Sequence, residues 1–185
     1  MIQQTVNTHL IDPSLILKEG DIKEGDTVAD FGCGAVGHFI FPAARLVGAD
    51  GRVFAVDIQK NVLSSIQSRA RLDNLHNVDP LWADIERPNG VRVADQTFDL
   101  VLVVNNLFMV KHADDLAEET RRTCKIDGTV VVADWSQVAS PLGPAPRERV
   151  SPAMAESLFV KHGFSLDHAF VPGPYHWGLV FRRTS

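Results

Sequence analysis

The stretch Asp30-Phe31-Gly32-Cys33-Gly34-Ala35-Val36-Gly37, with Asp57 one strand later, decides the reading of this chain. Thr27-Val28-Ala29-Asp30-Phe31 reads as a short buried strand, and the glycines let the chain turn sharply and approach a ligand where a Cβ would clash. Arg52-Val53-Phe54-Ala55-Val56-Asp57 is a second apolar strand, and it ends in an acid. A carboxylate at that strand end sits where both hydroxyls of a ribose can be hydrogen-bonded, each charge-assisted bond being worth roughly 1.5–3 kcal/mol. The pattern describes a grip for a nucleoside-bearing cofactor.

Two cofactors fit the glycines. Gly32, Gly34 and Gly37 satisfy the dinucleotide fingerprint, and Asp57 follows about 20 residues later, the spacing of a NAD-dependent oxidoreductase. Such an enzyme also needs a substrate domain and a catalytic Tyr/Lys or His pair, which this sequence does not display. Asp30 points the other way, because a carboxylate at the loop mouth repels a pyrophosphate but pairs with the cationic amino acid part of S-adenosylmethionine. These residues resemble the class I S-adenosylmethionine-dependent methyltransferases, whose first motif typically carries an acid at the Asp30 position and whose second strand typically ends in one at the Asp57 position. A third reading, a non-catalytic protein that kept the cofactor motifs, stays open.

The resemblance continues downstream. Val78 to Ala83 runs into Asp84-Ile85, similar to the family's pair in which an acid bonds the exocyclic amine of adenine and the next apolar residue packs on the ring. Phe98 to Val104 is a near-continuous apolar run suited to a sheet buried on both faces, and Asp127-Gly128 with Thr129 to Asp134 resembles the fifth strand. Gly143-Pro144, Arg149-Val150-Ser151-Pro152, Gly163-Phe164 and Gly173-Pro174-Tyr175-His176 resemble a small-molecule-type branch near the ubiquinone-biosynthesis and arsenite methyltransferase relatives. Coverage runs from about Leu10 to Arg182. The resemblance implies a cofactor-binding set of Asp30, Gly32, Cys33, Gly34, Gly37, Asp57, Ile58, Asp84, Ile85 and Asn105, with S-adenosylmethionine as cofactor. It also implies a Rossmann-like α/β fold: a doubly wound, mostly parallel seven-stranded sheet with an antiparallel C-terminal edge hairpin and helices on both faces.

On the acceptor side the sequence offers fewer signals. Asn105-Asn106-Leu107-Phe108 stands where amino-group methyltransferases place an acid or Asn followed by two prolines and an aromatic; the missing prolines argue against methylation of DNA bases or glutamine. Asp134, Trp135 and Tyr175 are acceptor-site candidates, and His112 and His176 are candidate bases for an acceptor that must lose a proton. Cys33 reads as a small buried filler, since no adjacent base would activate it. Two isolated cysteines, Cys33 and Cys124, do not form the thiol cluster that arsenite chemistry would use, and no metal-ligand spacing occurs.

Composition bounds the rest. With 185 residues, 45% hydrophobic and 22% charged, the chain fits one domain over 1–185, comprising a leading segment (1–24), the sheet domain and a Pro-rich loop (136–150) that is a possible acceptor-site wall. The net charge of −5 gives no basic field of the sort that drives nucleic-acid binding. The partner expected is a small-molecule acceptor, with a homodimer left open. Met1-Ile2-Gln3-Gln4 lacks the charged head of a signal peptide, the longest apolar stretch is too short to span a bilayer, and the few cysteines suit a reduced cytoplasm.

Along the chain, Ser14 to Glu19 reads as a short first helix against the cofactor mouth. His38 to Val47 reads as the helix after the glycines, with Pro42 delaying its regular part. Val62, Leu63, Ile66 and Ala70, and then Ala113, Leu116, Ala117, Thr120 and Cys124, form core-facing stripes. Ser151, Pro152 and Gly163 bracket a last helix, followed by strands over Phe164–Val171 and His176–Arg182.

Overall fold

A computed structural model describes residues 10–184; the segment Met1-Ile2-Gln3-Gln4 lies outside the described residues. Seven strands form one sheet in the order β3-β2-β1-β4-β5-β7-β6. The strands are β1 (Thr27–Phe31), β2 (Arg52–Asp57), β3 (Val78–Trp82), β4 (Phe98–Val104), β5 (Cys124–Trp135), β6 (Phe164–Gly173) and β7 (His176–Arg183). β1 to β5 pair in parallel, and β7 inserts antiparallel between β5 and β6. This is the doubly wound, mostly parallel sheet with a C-terminal hairpin that the family resemblance implies.

Alternation along each strand divides the core into two layers. Val28, Ala55, Leu102, Val131 and Val180 face α1 (Pro13–Glu19), α2 (Ile40–Leu46) and α3 (Lys60–Leu72). Ala29, Val56, Val101, Val132 and Phe181 face α4 (Ala113–Thr123) and α5 (Pro152–Lys161). Strands of a parallel sheet are covered on both sides, which is why they read as unbroken apolar runs rather than as alternating ones.

Local chemistry sets the helix ends. Asp12 caps α1, its carboxylate accepting the amides of Ser14 and Leu15 at 2.9 and 3.3 Å, and Ser151 caps α5 by accepting the Met154 amide at 3.3 Å. Pro42 does not delay α2 as the sequence suggests: the helix already starts at Ile40, so proline falls in the first turn, where its missing N–H has no helical partner to lose. Cys124 is buried as expected but opens β5 instead of closing the α4 stripe, and Glu119 and Thr123 join Leu116, Ala117 and Thr120 on the buried side.

Glu119 is the unexpected member of that stripe. Only 2% exposed, it accepts the amides of Asn89 and Val91 at 3.0 and 2.8 Å and pairs twice with Arg122 at 2.8–3.0 Å. Arg122 continues to the Val91 and Val93 carbonyls and to Asp95. One carboxylate thus fixes the long crossover between β3 and β4, whose first residues reach the candidate site. Removing one partner of a buried pair leaves an uncompensated charge and typically costs about 3–5 kcal/mol. Glu119→Ala is therefore expected to lower the unfolding free energy by about 3 kcal/mol in urea titrations. Loss under 1 kcal/mol would show that the crossover is held by something else.

Candidate functional site

A cavity of about 430 Å³ opens at the carboxyl ends of β1, β2 and β4, the place where open α/β sheets bind ligands and a size suited to a small cofactor. The glycine turn supplies Gly32, Cys33 and Gly34; the end of β2 supplies Asp57 and Ile58; the segment after β3 supplies Asp84, Ile85 and Glu86; the end of β4 supplies Asn105 and Asn106. Eight of the ten residues of the implied cofactor set therefore converge. Asp30 and Gly37 lie outside the lining.

The three motif glycines all have positive φ but serve different ends. A Cβ on Gly32 would collide with the Asn106 side-chain amide. One on Gly34 would meet nothing within 4 Å, so that face of the turn is open to a ligand. A Cβ on Gly37 would strike Phe41 and Ile66, and this glycine secures the packing of α2 on α3 instead of a ligand approach. The turn is tied across the sheet: the amides of Gly32 and Cys33 donate to the Val56 carbonyl at 2.8 and 3.1 Å, and Gly34 donates to Asp57 Oδ2 at 3.2 Å. Asp57 Oδ1 accepts the Gln59 amide at 2.9 Å. A carboxylate has about four lone-pair sites, so two remain for a ribose diol.

Asn106 is the residue that the sequence reading missed. Its amide nitrogen donates to the Phe31 carbonyl at 2.6 Å and to the Val104 carbonyl at 2.9 Å, bridging the ends of β1 and β4 beneath Gly32. Two adjacent asparagines after an apolar strand look alike in sequence; the left-handed backbone of Asn105, φ 56°, is what separates their directions. Asn105 lines the cavity with a buried Oδ1 that has no partner, an acceptor suited to a ligand donor.

Asp84 and Ile85 line the cavity side by side, and Glu86 beside them accepts the amides of Lys111 and His112 at 2.6 and 2.8 Å, anchoring the approach to α4. The His112 side chain itself is exposed and outside the lining. His176 is 3% exposed, lies against Trp135 with centroids 4.4 Å apart and ring planes tilted by 40°, and shares a hydrogen bond of 3.0 Å between Nδ1 and the Leu10 carbonyl. Burial holds its pKa below the ordinary histidine range. It too stands outside the lining, as do Asp134, Trp135 and Tyr175. Asp134 is fully buried and accepts the amides of Trp135 and Phe108 at 2.7 and 3.3 Å; burial pushes its carboxyl up to about 6. These residues hold loops in place around the site: His176 seats Leu10 next to Ile11, which lines the cavity, and Asp134 pins the loop after β4.

The Pro-rich loop of 136–150 also stays out of the lining. Arg149 gathers it, donating to the carbonyls of Pro144, Ser136 and Val138 at 2.6–3.0 Å while lying 5.8 Å from the Trp135 ring centre. Cys33 and Cys124 are free and buried, and they belong to opposite core layers. Burial pushes the Cys33 thiol well above its ordinary value, which suits a filler and not a nucleophile. Among the described residues no group of His, Cys, Asp and Glu could hold a metal ion, and no helix is long and apolar enough to cross a membrane.

Asp30, 2% exposed, has an Oδ2 with no partner. Burial, with the charge of Asp57 added, pushes its carboxyl from 3.8 up to about 8. The folded chain thus keeps a proton that the unfolded chain releases between these two values, and stability falls as pH rises through that window. Asp30→Asn removes the titration; its advantage over the wild type in thermal melting is expected to grow from pH 5 to pH 8 by up to about 4 kcal/mol, roughly 8–16 °C. An advantage independent of pH would mean that Asp30 is already ionised at pH 5.

A family model described as a methyltransferase domain matches residues 22–162. The demethylmenaquinone methyltransferase of Lactobacillus johnsonii is 30% identical over 129 residues, 68% of this chain and 50% of that protein. A ubiquinone/menaquinone biosynthesis C-methyltransferase of Hydrogenovibrio crunogenus is 31% identical over 121 residues, 65% of this chain and 46% of that one. The chain thus spans about half the length of the curated relatives it matches. Its fold is similar to that of a SAM-dependent methyltransferase from Aquifex aeolicus, with a TM-score of 0.86, 25% identity, and coverage of 95% of this chain and 91% of that one. The family match runs from before β1 to the end of α5, and the cavity at the glycine turn has room and free acceptors for the cofactor that this family uses. The chain belongs to the class I methyltransferase-domain family, and S-adenosylmethionine is its cofactor.

Proposed function

We propose that this chain transfers a methyl group from S-adenosylmethionine to a small neutral or cationic acceptor by in-line displacement. The observation that carries the reading is the chemistry of the cavity: Asp57, Asp84 and Glu86 line it, and among the described residues no lysine or arginine does. Such a wall attracts a sulfonium and an ammonium and repels the pyrophosphate of a dinucleotide. When bound, the cofactor supplies an electrophilic methyl group on a sulfonium. Asp57 has lone pairs left for the ribose hydroxyls, Asp84 and Ile85 stand together for the adenine, and Gly34 leaves its side of the turn open. Displacement at a sulfonium disperses charge, so holding donor and acceptor in line can supply most of the acceleration, on the order of 7–11 kcal/mol.

Ile11, Phe39, Val104, Met109 and Val110 form the apolar part of the lining. That surface suits a flat apolar ring, and the named activities of the curated relatives make demethylated quinone rings the first acceptors to try. An acceptor that carries a proton needs a base within reach. Among the described histidines only His38 lines the cavity, and we assign the role to it in preference to His112 or His176.

Isothermal titration with S-adenosylhomocysteine and with NAD is the test. S-Adenosylhomocysteine is expected to bind and NAD is not, and Asp57→Ala is expected to lower S-adenosylhomocysteine affinity by about 2–3 kcal/mol through loss of the ribose bonds. NAD binding without S-adenosylhomocysteine binding would overturn the reading. With a demethylated quinone as acceptor, His38→Ala is expected to lower turnover by about 10²–10⁴-fold while leaving S-adenosylhomocysteine affinity within about twofold; unchanged turnover would remove His38 from the chemistry.

A further inference from the structure

Asp30 and Asp57 lie on neighbouring parallel strands, and the register that sets Asp30 beside Ala55 puts Asp57 two residues further along the same face. The two carboxyls are not equivalent. Asp57 receives backbone amides from Gly34 and Gln59, whereas Asp30 Oδ2 is buried without a partner. Around Asp30 the surroundings are apolar or acidic. Ala55 and Leu102 flank it in the sheet, and the core layer on that face draws Ile16 and Leu17 from α1 and Ile40 and Phe41 from α2. The titratable groups acting with it are Asp57 and the Cys33 thiol; His38, Asp84 and Glu86 are the others in the cavity wall. Two carboxyls in an apolar wall, with hydrogen-bond donors for only one, hold a proton on the undersolvated member.

We propose that the free protein carries a proton on Asp30 and releases it when the cationic end of the cofactor binds at the glycine turn that follows β1, so that cofactor binding and proton release are linked. This rests on the S-adenosylmethionine reading above and adds its regulation by pH. The O–H bond of Asp30 breaks, its electron pair stays on the carboxylate, and the proton passes to solvent buffer; behind the cavity wall an ionised carboxyl, attracted to the ligand's cation, replaces a neutral one. Because the ionised form favours the ligand, affinity rises with pH, by up to about tenfold per pH unit while the free site is protonated and the complex is not. Burial holds the free Asp30 carboxyl at about 8, so the dependence spans neutral pH. The ligand's own α-amino group titrates at about 7.7–8.0, and work at a pH near 6.5 keeps that group charged.

The test is calorimetric titration of the full chain with S-adenosylhomocysteine at about pH 6.5 in two buffers of different ionisation heat, phosphate and imidazole. The wild type is expected to release about one proton per ligand bound, and Asp30→Asn about none. A second arm uses the wild type with 5′-methylthioadenosine, which keeps the nucleoside and thioether but lacks the ammonium; it is expected to bind without proton release. Binding of S-adenosylhomocysteine with no proton released, or equal release from Asp30→Asn or with 5′-methylthioadenosine, would overturn the linkage while leaving the cofactor assignment intact. Failure of S-adenosylhomocysteine to bind at all would overturn the cofactor assignment and the linkage together.

Discussion

The site depends on one junction, where β1 and β4 lie side by side and their onward connections leave for opposite faces of the sheet. β1 continues into α2 and β4 into α4, and the gap between those departures is the crevice. Asn106 closes its floor, tying the Phe31 and Val104 carbonyls together and filling the space that any side chain at position 32 would need. A glycine is required there because an asparagine is in the way, not only because the backbone has positive φ.

Around that junction the carboxylates divide their work by the donors they can reach. Asp57 takes two backbone amides and stands ready for two more donors. Glu86 and Asp134 spend their oxygens on the loops that frame the site, and Glu119 holds the crossover that delivers Asp84 and Ile85. Among the described carboxylates only Asp30 has a buried oxygen without a hydrogen-bond partner. A wall with this many acids and no lysine or arginine among its described lining residues favours cations by plain Coulomb attraction, stronger in a partly dry cavity than in water. The chemistry of a sulfonium donor suits that field, and the positioning it needs is what rigid strand ends and amide-bonded turns provide.

Much of this was legible in the sequence because strands buried on both faces leave unbroken apolar runs, and because acids at strand ends interrupt them conspicuously. β1, β2 and β4 and the pair Asp84-Ile85 are of that kind. What stayed hidden depended on side-chain direction or on distant partners. Asn106 could not be told from Asn105 without the backbone angle, and nothing local distinguishes Glu119 from the exposed Glu118 beside it, because its partners come from the distant crossover. Gly37 matched a ligand-binding pattern, yet its constraint is Phe41 and Ile66. His176 stands among Tyr175 and Trp177 near a strand end, and only the folded chain sets it opposite Trp135, its ring tilted against that indole and bonded to the Leu10 carbonyl.

The central claim is that the crevice at the β1–β4 junction holds S-adenosylmethionine with its ribose on Asp57. A crystal structure of the chain with S-adenosylhomocysteine tests this most directly. Both ribose hydroxyls are expected within hydrogen-bond distance of the Asp57 carboxylate, at about 2.5–3.0 Å, with the adenine beside Asp84 and Ile85 and the amino acid end at the glycine turn. A ligand lodged elsewhere, or in the crevice with its ribose away from Asp57, would contradict it.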